Sequence, residues 1–159
     1  VTQVYEEIAA DEGKVLHKYL CSESHPTIGI GHKVLNTDAE ANLPIHGVYD
    51  DVPEEECITE ERCYELFQND IQLAIDGCKS LYHNWEEIPQ EMRHILVNMC
   101  FQLGRTGLSR FKNMNAGVAQ EAWGVVSLEM MDSRWAQQTP ERATRLRDRV
   151  LVMMDDLEG

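Results

Sequence analysis

Residues 27–32 read Thr-Ile-Gly-Ile-Gly-His and mark a change from the helical pattern that precedes them. Gly29 and Gly31 interrupt any helical periodicity, whereas the two isoleucines and the nearby Val34 are strand formers. A small antiparallel sheet is therefore predicted between Val15 and about Leu35.

Chemically distinctive side chains surround this predicted hairpin. Glu12 supplies a carboxylate, Cys21 a thiol and Thr27 a hydroxyl. Cleavage of a glycosidic bond needs a proton donor beside the leaving oxygen and a second group that directs water or attacks the sugar carbon. Glu12 and Cys21 suit these two places, so the side chains are compatible with glycosidase chemistry.

The chain resembles the T-even phage-type lysozymes, which are endolysin muramidases of glycoside hydrolase family 24. Their active-site pattern is Glu, eight residues, Asp or Cys, five residues and Thr, and it falls here on Glu12, Cys21 and Thr27. Three further blocks match in the same order, so the resemblance extends from about residue 4 to about residue 150. These blocks are Leu66-Phe67 with Asp70, Asn98-Met99-Cys100-Phe101-Gln102-Leu103-Gly104 with Thr106-Gly107, and Ser133-Arg134-Trp135 with Gln138-Thr139-Pro140 and Arg142-Ala143.

The resemblance implies a lysozyme that hydrolyses the β-1,4 bond between N-acetylmuramic acid and N-acetylglucosamine in bacterial peptidoglycan. Glu12 would be the general acid, and Cys21 with Thr27 would position the attacking water on the opposite face of the sugar. Because the best-known members carry Asp where this chain has Cys21, attack by the sulfur itself is a second mechanism, and a thiol without a role is a third interpretation. A catalytically weak or inactive peptidoglycan-binding or structural protein and a lytic transglycosylase are the alternative functions.

The resemblance also assigns residues outside the hairpin. Phe101, Gln102, Trp135 and Gln138 match positions that line or support the sugar groove, since aromatic faces pack on pyranose rings and amides bond to N-acetyl and hydroxyl groups. Phe101 and Trp135 are equally compatible with the core of a helical lobe. Arg142 matches the arginine that holds the catalytic acid in the family.

His32 and Asp70 match an ion pair that joins the two lobes in the family. A role in stability rather than in chemistry is predicted for both residues. A lone histidine near an active site is weak evidence for a catalytic base.

The predicted fold class is α+β and predominantly helical. A small N-terminal lobe with an antiparallel sheet covers residues 13–59 approximately, a long linking helix capped by Thr59 covers about 60–79, and a larger all-helical lobe covers about 80–159. An apolar helical stripe in this lobe stops at Gly104, and Pro140 opens the last helix. The whole chain, 1–159, is predicted to be one lysozyme domain in which helix 1–12 packs on the helical lobe and the substrate groove lies between the lobes.

Composition limits the partners. The 159 residues include 28 acidic and 14 basic side chains, which gives a formal net charge of -14. Phosphate binding needs clustered Lys and Arg, so a nucleic-acid partner is not expected. No apolar run is long enough to span a bilayer, so no membrane anchor is expected, and the protein is predicted to be a monomer with peptidoglycan as its partner. The acidic excess is either a solvated face or an adaptation to high salt.

The cysteines leave two states open. Cys57, Cys63, Cys78 and Cys100 could form up to two disulfides with Cys21 left free, or they could be reduced core residues. There is no Cys-x-x-Cys pair and the histidines are scattered. We therefore expect no metal and no cofactor.

Action outside the cytoplasm, on the cell wall, is expected from the resemblance. The chain begins at Val1 without a Met, which is compatible with a mature secreted product whose leader was removed. A phage endolysin that is made in the host cytoplasm and released to the periplasm is the other possibility.

Overall fold

The computed structural model describes residues 2–158, with the side chain of Thr2 left out. Within this range it has seven α-helices and one three-stranded antiparallel sheet in the order β1-β2-β3. The helices are α1 (Thr2–Glu12), α2 (Glu60–Leu81), α3 (Gln90–Ser109), α4 (Lys112–Ala119), α5 (Trp123–Met131), α6 (Arg134–Gln138) and α7 (Pro140–Glu158), and the strands are β1 (Val15–Leu20), β2 (Pro26–Gly29) and β3 (His32–Lys33). Single 3₁₀ turns lie at Glu54–Glu56 and Trp85–Glu87.

The predicted α+β, predominantly helical fold is confirmed. The chain divides into a first compact unit that ends at Gln72 and contains α1 and the sheet, and a second unit that begins at Leu73 and contains α3 to α7. Helix α2 begins where the sequence predicts it. The Thr59 hydroxyl accepts a hydrogen bond from the backbone N–H of Arg62 at 3.1 Å, which satisfies one of the unpaired donors of the first turn.

In the first unit, α1 ends at Glu12 because the next residue, Gly13, adopts a φ of +73°. Its N–H donates to the carbonyl of Ala9 at 3.0 Å, which is a left-handed helix cap. The chain then enters β1, which pairs with β2 so that Tyr19 lies opposite Thr27.

A tight turn at Gly29 and Gly31 brings the chain from β2 into β3. Both glycines have positive φ, +69° and +66°, which side chains other than glycine rarely adopt. The sheet buries Ile28 against the start of α2, in a cluster of Ile28, Ile58, Cys63 and Leu66. This packing fixes the hairpin that carries Cys21 and Thr27, two of the three predicted catalytic residues.

The second unit is helical around its own core. Its fully buried large side chains are Ile88, Met92, Ile95, Leu96, Met99, Leu108, Met114, Met130 and Leu146. Gly104, where the sequence predicts that the apolar stripe stops, has φ +75° and ψ +164° and interrupts α3, which continues to Ser109. Helix α7 begins at Pro140, as predicted. None of the helices within residues 2–158 is long and apolar enough to cross a membrane.

Candidate active site

Glu12 is the last residue of α1, and its side chain is half-buried. The carboxylate packs against the backbone of Gly31: a Cβ on this glycine would lie 2.7 Å from Oε1 and 2.9 Å from the carboxyl carbon of Glu12. Gly31 is therefore needed twice, for its positive φ and for the space that the carboxylate occupies. The turn between β2 and β3 thus forms one wall of the Glu12 environment.

A single carbonyl oxygen ties Cys21 to Thr27. The carbonyl of His25 accepts the backbone N–H of Cys21 at 3.0 Å and the hydroxyl of Thr27 at 2.9 Å. Ser24, with a φ of +64°, closes the hairpin by donating its N–H to the Cys21 carbonyl at 2.8 Å. Cys21 and Thr27 are consequently held in one small hairpin, with Thr27 buried and Cys21 half-buried.

The Cys21 thiol is free. Cys57, Cys63, Cys78 and Cys100 are also free thiols, which corresponds to the reduced state that the sequence leaves open. The last three of these are buried, whereas Cys57 is half-buried.

Tyr19 is a neighbour that the sequence analysis missed. It lies opposite Thr27 in the β1–β2 register, so the two side chains share one face of the sheet. Burial, followed by the negative charges of Glu12 and Cys21, raises the pKa of the Tyr19 phenol. The signal that could have revealed it is the predicted hairpin itself, in which a residue of the first strand must lie opposite Thr27.

His32 lies between two carboxylates rather than beside one. Its Nδ1 donates to Oδ2 of Asp70 at 2.7 Å, and its Nε2 donates to Oδ2 of Asp38 at 2.7 Å. Burial alone would lower the pKa of His32, but the hydrogen bonds to Asp70 and Asp38 outweigh it and raise the pKa to about 9. The imidazole is therefore protonated at neutral pH, which suits an ion pair and not a catalytic base.

The sequence analysis did not identify Asp38. Burial opposes ionisation of its carboxyl, yet hydrogen bonds from the Leu35 N–H and His32 lower its pKa overall. The Leu35 N–H donates to Asp38 Oδ2 at 2.8 Å. All three residues of the His32 network lie in the first unit, so this ion pair stabilises that unit from within.

Lys18 and Glu40, which are both buried, fasten the loop after β3 to the sheet and to α2. The Lys18 ammonium of β1 donates to the backbone carbonyls of Glu40 at 3.2 Å and Ala41 at 2.9 Å. The Arg62 guanidinium of α2 binds both carboxylate oxygens of Glu40, at 2.9 and 3.1 Å, which lowers the pKa of that carboxyl. The backbone of Ile45 forms a further bridge to Lys18.

In the second unit, the predicted groove residues differ in exposure. Trp135 is buried, packs edge-on against Phe111, and donates its indole N–H to Oε1 of Gln102 at 2.8 Å. Phe101 and Gln102 are half-buried, and Gln138 is exposed at the end of α6. The indole bond uses the carbonyl oxygen of the Gln102 amide, so Trp135 is a core residue that orients Gln102.

Arg142 is half-buried near the start of α7. Its Nε donates to Oδ1 of Asn98 at 2.9 Å, and Nη2 donates to the Asn98 carbonyl at 3.5 Å. Asn98 has no exposed surface, so the guanidinium is held by a buried amide. The sequence indicates Asn98 only as part of a block that matches the family. This contact fixes the direction in which the Arg142 side chain points from α7.

No group of three or more His, Cys, Asp or Glu side chains suited to a metal ion occurs among residues 2–158. Taken by itself, the first unit holds the Glu12 carboxylate, the Cys21 thiol and the Thr27 hydroxyl, and the second unit holds the oriented Gln102 amide and the oriented Arg142 guanidinium.

Comparison with known proteins gives this arrangement a context. A profile of the phage lysozyme family matches residues 9–149. Similar curated proteins include probable T4-type lysozymes 2 and 1 of Dictyostelium discoideum, which are 28% and 29% identical over 92% of this chain and 92% of each relative. The pre-baseplate central spike protein Gp5 of Enterobacteria phage T4 is 29% identical over 97% of this chain, which corresponds to 28% of Gp5.

Proposed function

Because this chain belongs to the phage lysozyme family, we propose that it hydrolyses the β-1,4 bond between N-acetylmuramic acid and N-acetylglucosamine in bacterial peptidoglycan. Family membership makes the protein a glycoside hydrolase of the muramidase type. The observation that best supports the specific reaction is the shared bond of Cys21 and Thr27 to the His25 carbonyl at the start of β2, together with the turn at the other end of β2, which carries Gly31 and packs on Glu12.

Glu12 is proposed as the general acid. It is the carboxylate that the family pattern requires, and it is half-buried, which limits the water that competes for its proton. Proton transfer to the glycosidic oxygen makes the sugar a better leaving group. The contact with Gly31 restricts where the carboxyl can point, and a positioned acid is worth more than a mobile one.

Cys21 and Thr27 are proposed to hold the attacking water. A hydroxyl has one proton and two lone pairs, and the Thr27 proton is already donated to the His25 carbonyl. The Thr27 oxygen is therefore left to accept a hydrogen bond from water. A second bond from the same water to the Cys21 sulfur would direct the water's own lone pair at the sugar carbon, and the thiolate form of Cys21 would take the proton.

The competing mechanism has the Cys21 sulfur attack the sugar and form a thioglycosyl intermediate. We favour the positioned water, because a thioglycoside is a poor intermediate for a hydrolase and because Thr27 has its acceptor lone pairs available. The two mechanisms give different stereochemistry. Product of inverted configuration by NMR immediately after bond cleavage would support the water, and retained configuration would support the sulfur.

The second unit is proposed to bind the glycan chain. The carbonyl oxygen of the Gln102 amide is occupied by Trp135, so its NH₂ group is the part that would donate to an N-acetyl or hydroxyl oxygen of the substrate. Phe101 and Gln138 would add an aromatic face and a second amide. Arg142, held by Asn98, is proposed to have the role that the family resemblance assigns to it.

A clearing assay on purified cell walls tests the proposal. The native protein should clear a turbid wall suspension and release new reducing ends, while Glu12→Gln should lower the rate at least about 100-fold because it removes the proton donor but keeps the side-chain shape. Circular dichroism and the melting temperature show whether the variant is folded. Equal clearing by the two proteins would reject Glu12 as the acid.

The same digest separates the alternative functions. A peptidoglycan-binding protein without turnover would sediment with walls and leave them turbid. A lytic transglycosylase would release anhydro-sugar ends, which mass spectrometry distinguishes from the reducing ends of a hydrolase. Because the substrate is the cell wall, we also propose that the protein acts outside the cytoplasm, as a monomer.

A further inference from the structure

Two thiols lie against each other inside the second unit. Cys78 of α2 is completely buried and Cys100 of α3 is 2% exposed, and the two side chains are hydrogen-bonded. Gly77 makes this approach possible, because a Cβ on this glycine would lie 3.1 Å from Cys100 Sγ. The sulfur of α3 thus rests on the α2 backbone beside Cys78, and the proposed reaction uses neither thiol.

We propose that Cys78 and Cys100 are a site of oxidation, at which a disulfide forms and cross-links α2 to α3. The oxidant is a disulfide of the kind found in oxidising compartments, either small or protein-bound. One thiolate attacks a sulfur of the oxidant and releases the other sulfur as a thiolate. The second cysteine then attacks the mixed disulfide and releases the remaining thiolate, so the protein loses two electrons and two protons and the oxidant becomes two thiols.

The surroundings act differently on the two thiols. The hydrogen bond from Cys78 lowers the pKa of Cys100, and the nearby Arg105 acts in the same direction. The same hydrogen bond, together with burial, raises the pKa of Cys78. In the packed arrangement of α2 and α3, ionisation of Cys100 is thus favoured over that of Cys78. Because both thiols are buried there, the oxidant reaches them while the chain folds, and either thiolate can make the first attack.

The other three cysteines lie in the first unit and have different neighbours. Cys63 Sγ lies 3.3 Å from the position of a Cβ on Gly29, and the Cys57 thiol donates to the carbonyl of Pro53 at 3.5 Å. Cys21 is held in the β1–β2 hairpin. Oxidation of Cys78 with Cys100 therefore leaves the Cys21 thiol free for the proposed chemistry.

The expected consequence is a more stable second unit once the protein has left a reducing compartment. Closing the segment between residues 78 and 100 lowers the entropy of the unfolded chain, and a rise of about 5–10 °C in melting temperature is expected. That the protein leaves a reducing compartment follows from the proposed function on the cell wall. The pairing itself does not depend on activity, so thiol chemistry can be judged even if the protein failed to clear walls.

Refolding in a buffer of oxidised and reduced glutathione tests the proposal, because both thiols are accessible while the chain folds. The expected product has two fewer titratable thiols than the reduced protein, loses the mass of two hydrogen atoms, and gives a non-reduced proteolytic peptide that links Cys78 to Cys100. Its melting temperature should fall back when dithiothreitol is added.

Serine variants provide the controls. Cys78→Ser and Cys100→Ser should keep all their remaining thiols and show no oxidant-dependent rise in melting temperature, whereas Cys57→Ser and Cys63→Ser should respond like the native protein. Recovery of all five thiols after oxidative refolding, or a mapped link between any other two cysteines, would overturn the proposal.

Discussion

The carboxylate of Glu12 lies where the side chain of residue 31 would be if that residue were not glycine. A Cβ on Gly31 would lie 2.7 Å from Glu12 Oε1. The proposed acid and the turn of the sheet are therefore coupled sterically, and the glycine at 31 belongs to the site although it carries no functional group.

Gly31→Ala is expected to reduce activity more than stability. Because the overlapping atoms are at the far end of a flexible side chain, the carboxylate will move away from the new methyl group, and a displacement of about 1 Å lowers catalysis on the order of 100-fold. The positive φ costs roughly 1–2 kcal/mol of folding free energy in addition. Wall-clearing rates and urea unfolding measure the two effects separately.

Gly13→Ala is the matched control for this experiment. Gly13 also has a positive φ, +73°, and adjoins Glu12 in sequence, but a Cβ there would meet nothing within 4 Å. The Gly13→Ala variant should lose about as much folding stability as Gly31→Ala but keep most of its activity. If the two alanine variants clear walls at the same rate, the contact with Glu12 has no catalytic importance.

The activity of variants at Cys21 and Thr27 should depend on the hydrogen-bonding capacity of the new side chain. Cys21→Asp should retain activity and Cys21→Ala should lose about 100-fold, because alanine has no group to accept a proton from water. Thr27→Ser should be active, and Thr27→Val, of nearly equal shape, should not. Full activity in Cys21→Ala would remove the thiol from the mechanism.

Alkylation gives an independent test of Cys21. In the native protein, Cys21 and Cys57 are half-buried and the other three cysteines are buried. Iodoacetamide should therefore inactivate the enzyme by modifying Cys21, and it should do so equally well in Cys57→Ser. Loss of inhibition in Cys57→Ser would point to Cys57 instead.

Local signals allowed much of the fold to be predicted. The Thr59 cap, the Gly104 interruption and the Pro140 start are properties of a few neighbouring residues, and all three appear in the structure. The loop after β3 could not be derived in this way, because its anchors are pairings between distant residues. Nothing in the sequence near Glu40 indicates that its carboxylate binds Arg62 and its carbonyl binds Lys18.

The candidate site, too, was predictable from the sequence only in part. The spacing of Glu12, Cys21 and Thr27 identified candidate catalytic side chains, but it did not reveal the His25 carbonyl that joins two of them or the Gly31 backbone against the third. These contacts depend on the strand register and on backbone groups, which every residue possesses. Cysteine counting likewise could not pair Cys78 with Cys100, since that contact depends on how α3 meets α2.

Activity on intact walls is expected to rise with moderate salt. The first unit, residues 1–72, contains 16 acidic and 4 basic residues and so carries a formal charge of -12, whereas the rest of the chain carries -2. This unit repels an anionic envelope, and the repulsion is screened as the Debye length falls from about 30 Å at 0.01 M salt to about 8 Å at 0.15 M. A short neutral glycan serves as control, because its hydrolysis should not change with salt. Steadily falling wall activity from the lowest salt would contradict this expectation.

The bond between Trp135 and Gln102 predicts that two substitutions, both of which weaken substrate binding, differ in their effect on stability. Trp135→Phe removes the buried indole donor and should cost roughly 1–3 kcal/mol of stability and raise KM, because the Gln102 amide is no longer oriented. Gln102→Glu keeps an oxygen for the indole but replaces the NH₂ donor, so it should keep stability and lose substrate affinity. Unfolding midpoints and kinetics on a short glycan distinguish them, and an unchanged KM in Gln102→Glu would exclude the amide from substrate binding.

The stabilising effect of His32 should depend on pH. A pKa raised from 6.5 to about 9 on folding corresponds to about 3 kcal/mol of stability, which is fully present below pH 6.5 and is lost as the pH rises through about 9. The lowered pKa of Asp38 affects stability at acidic pH. Its contribution to the free energy of unfolding is present above about pH 4 and is lost as the pH falls through the pKa that Asp38 has in the folded protein. The free energy of unfolding of the native protein should therefore exceed that of His32→Gln by the largest amount between about pH 4 and pH 6.5.

Urea unfolding of both proteins from pH 4 to pH 10 measures this difference, and other titrating groups cancel in the comparison. Asp38→Asn and Asp70→Asn identify which carboxylate is responsible. Each should lower the pKa of His32, followed by NMR of the imidazole, because each removes one of two 2.7 Å hydrogen bonds to the ring. An Asp38→Asn variant in which the pKa of His32 is unchanged would show that Asp70 alone holds the imidazolium, and the three-residue network would then reduce to the single ion pair predicted from sequence.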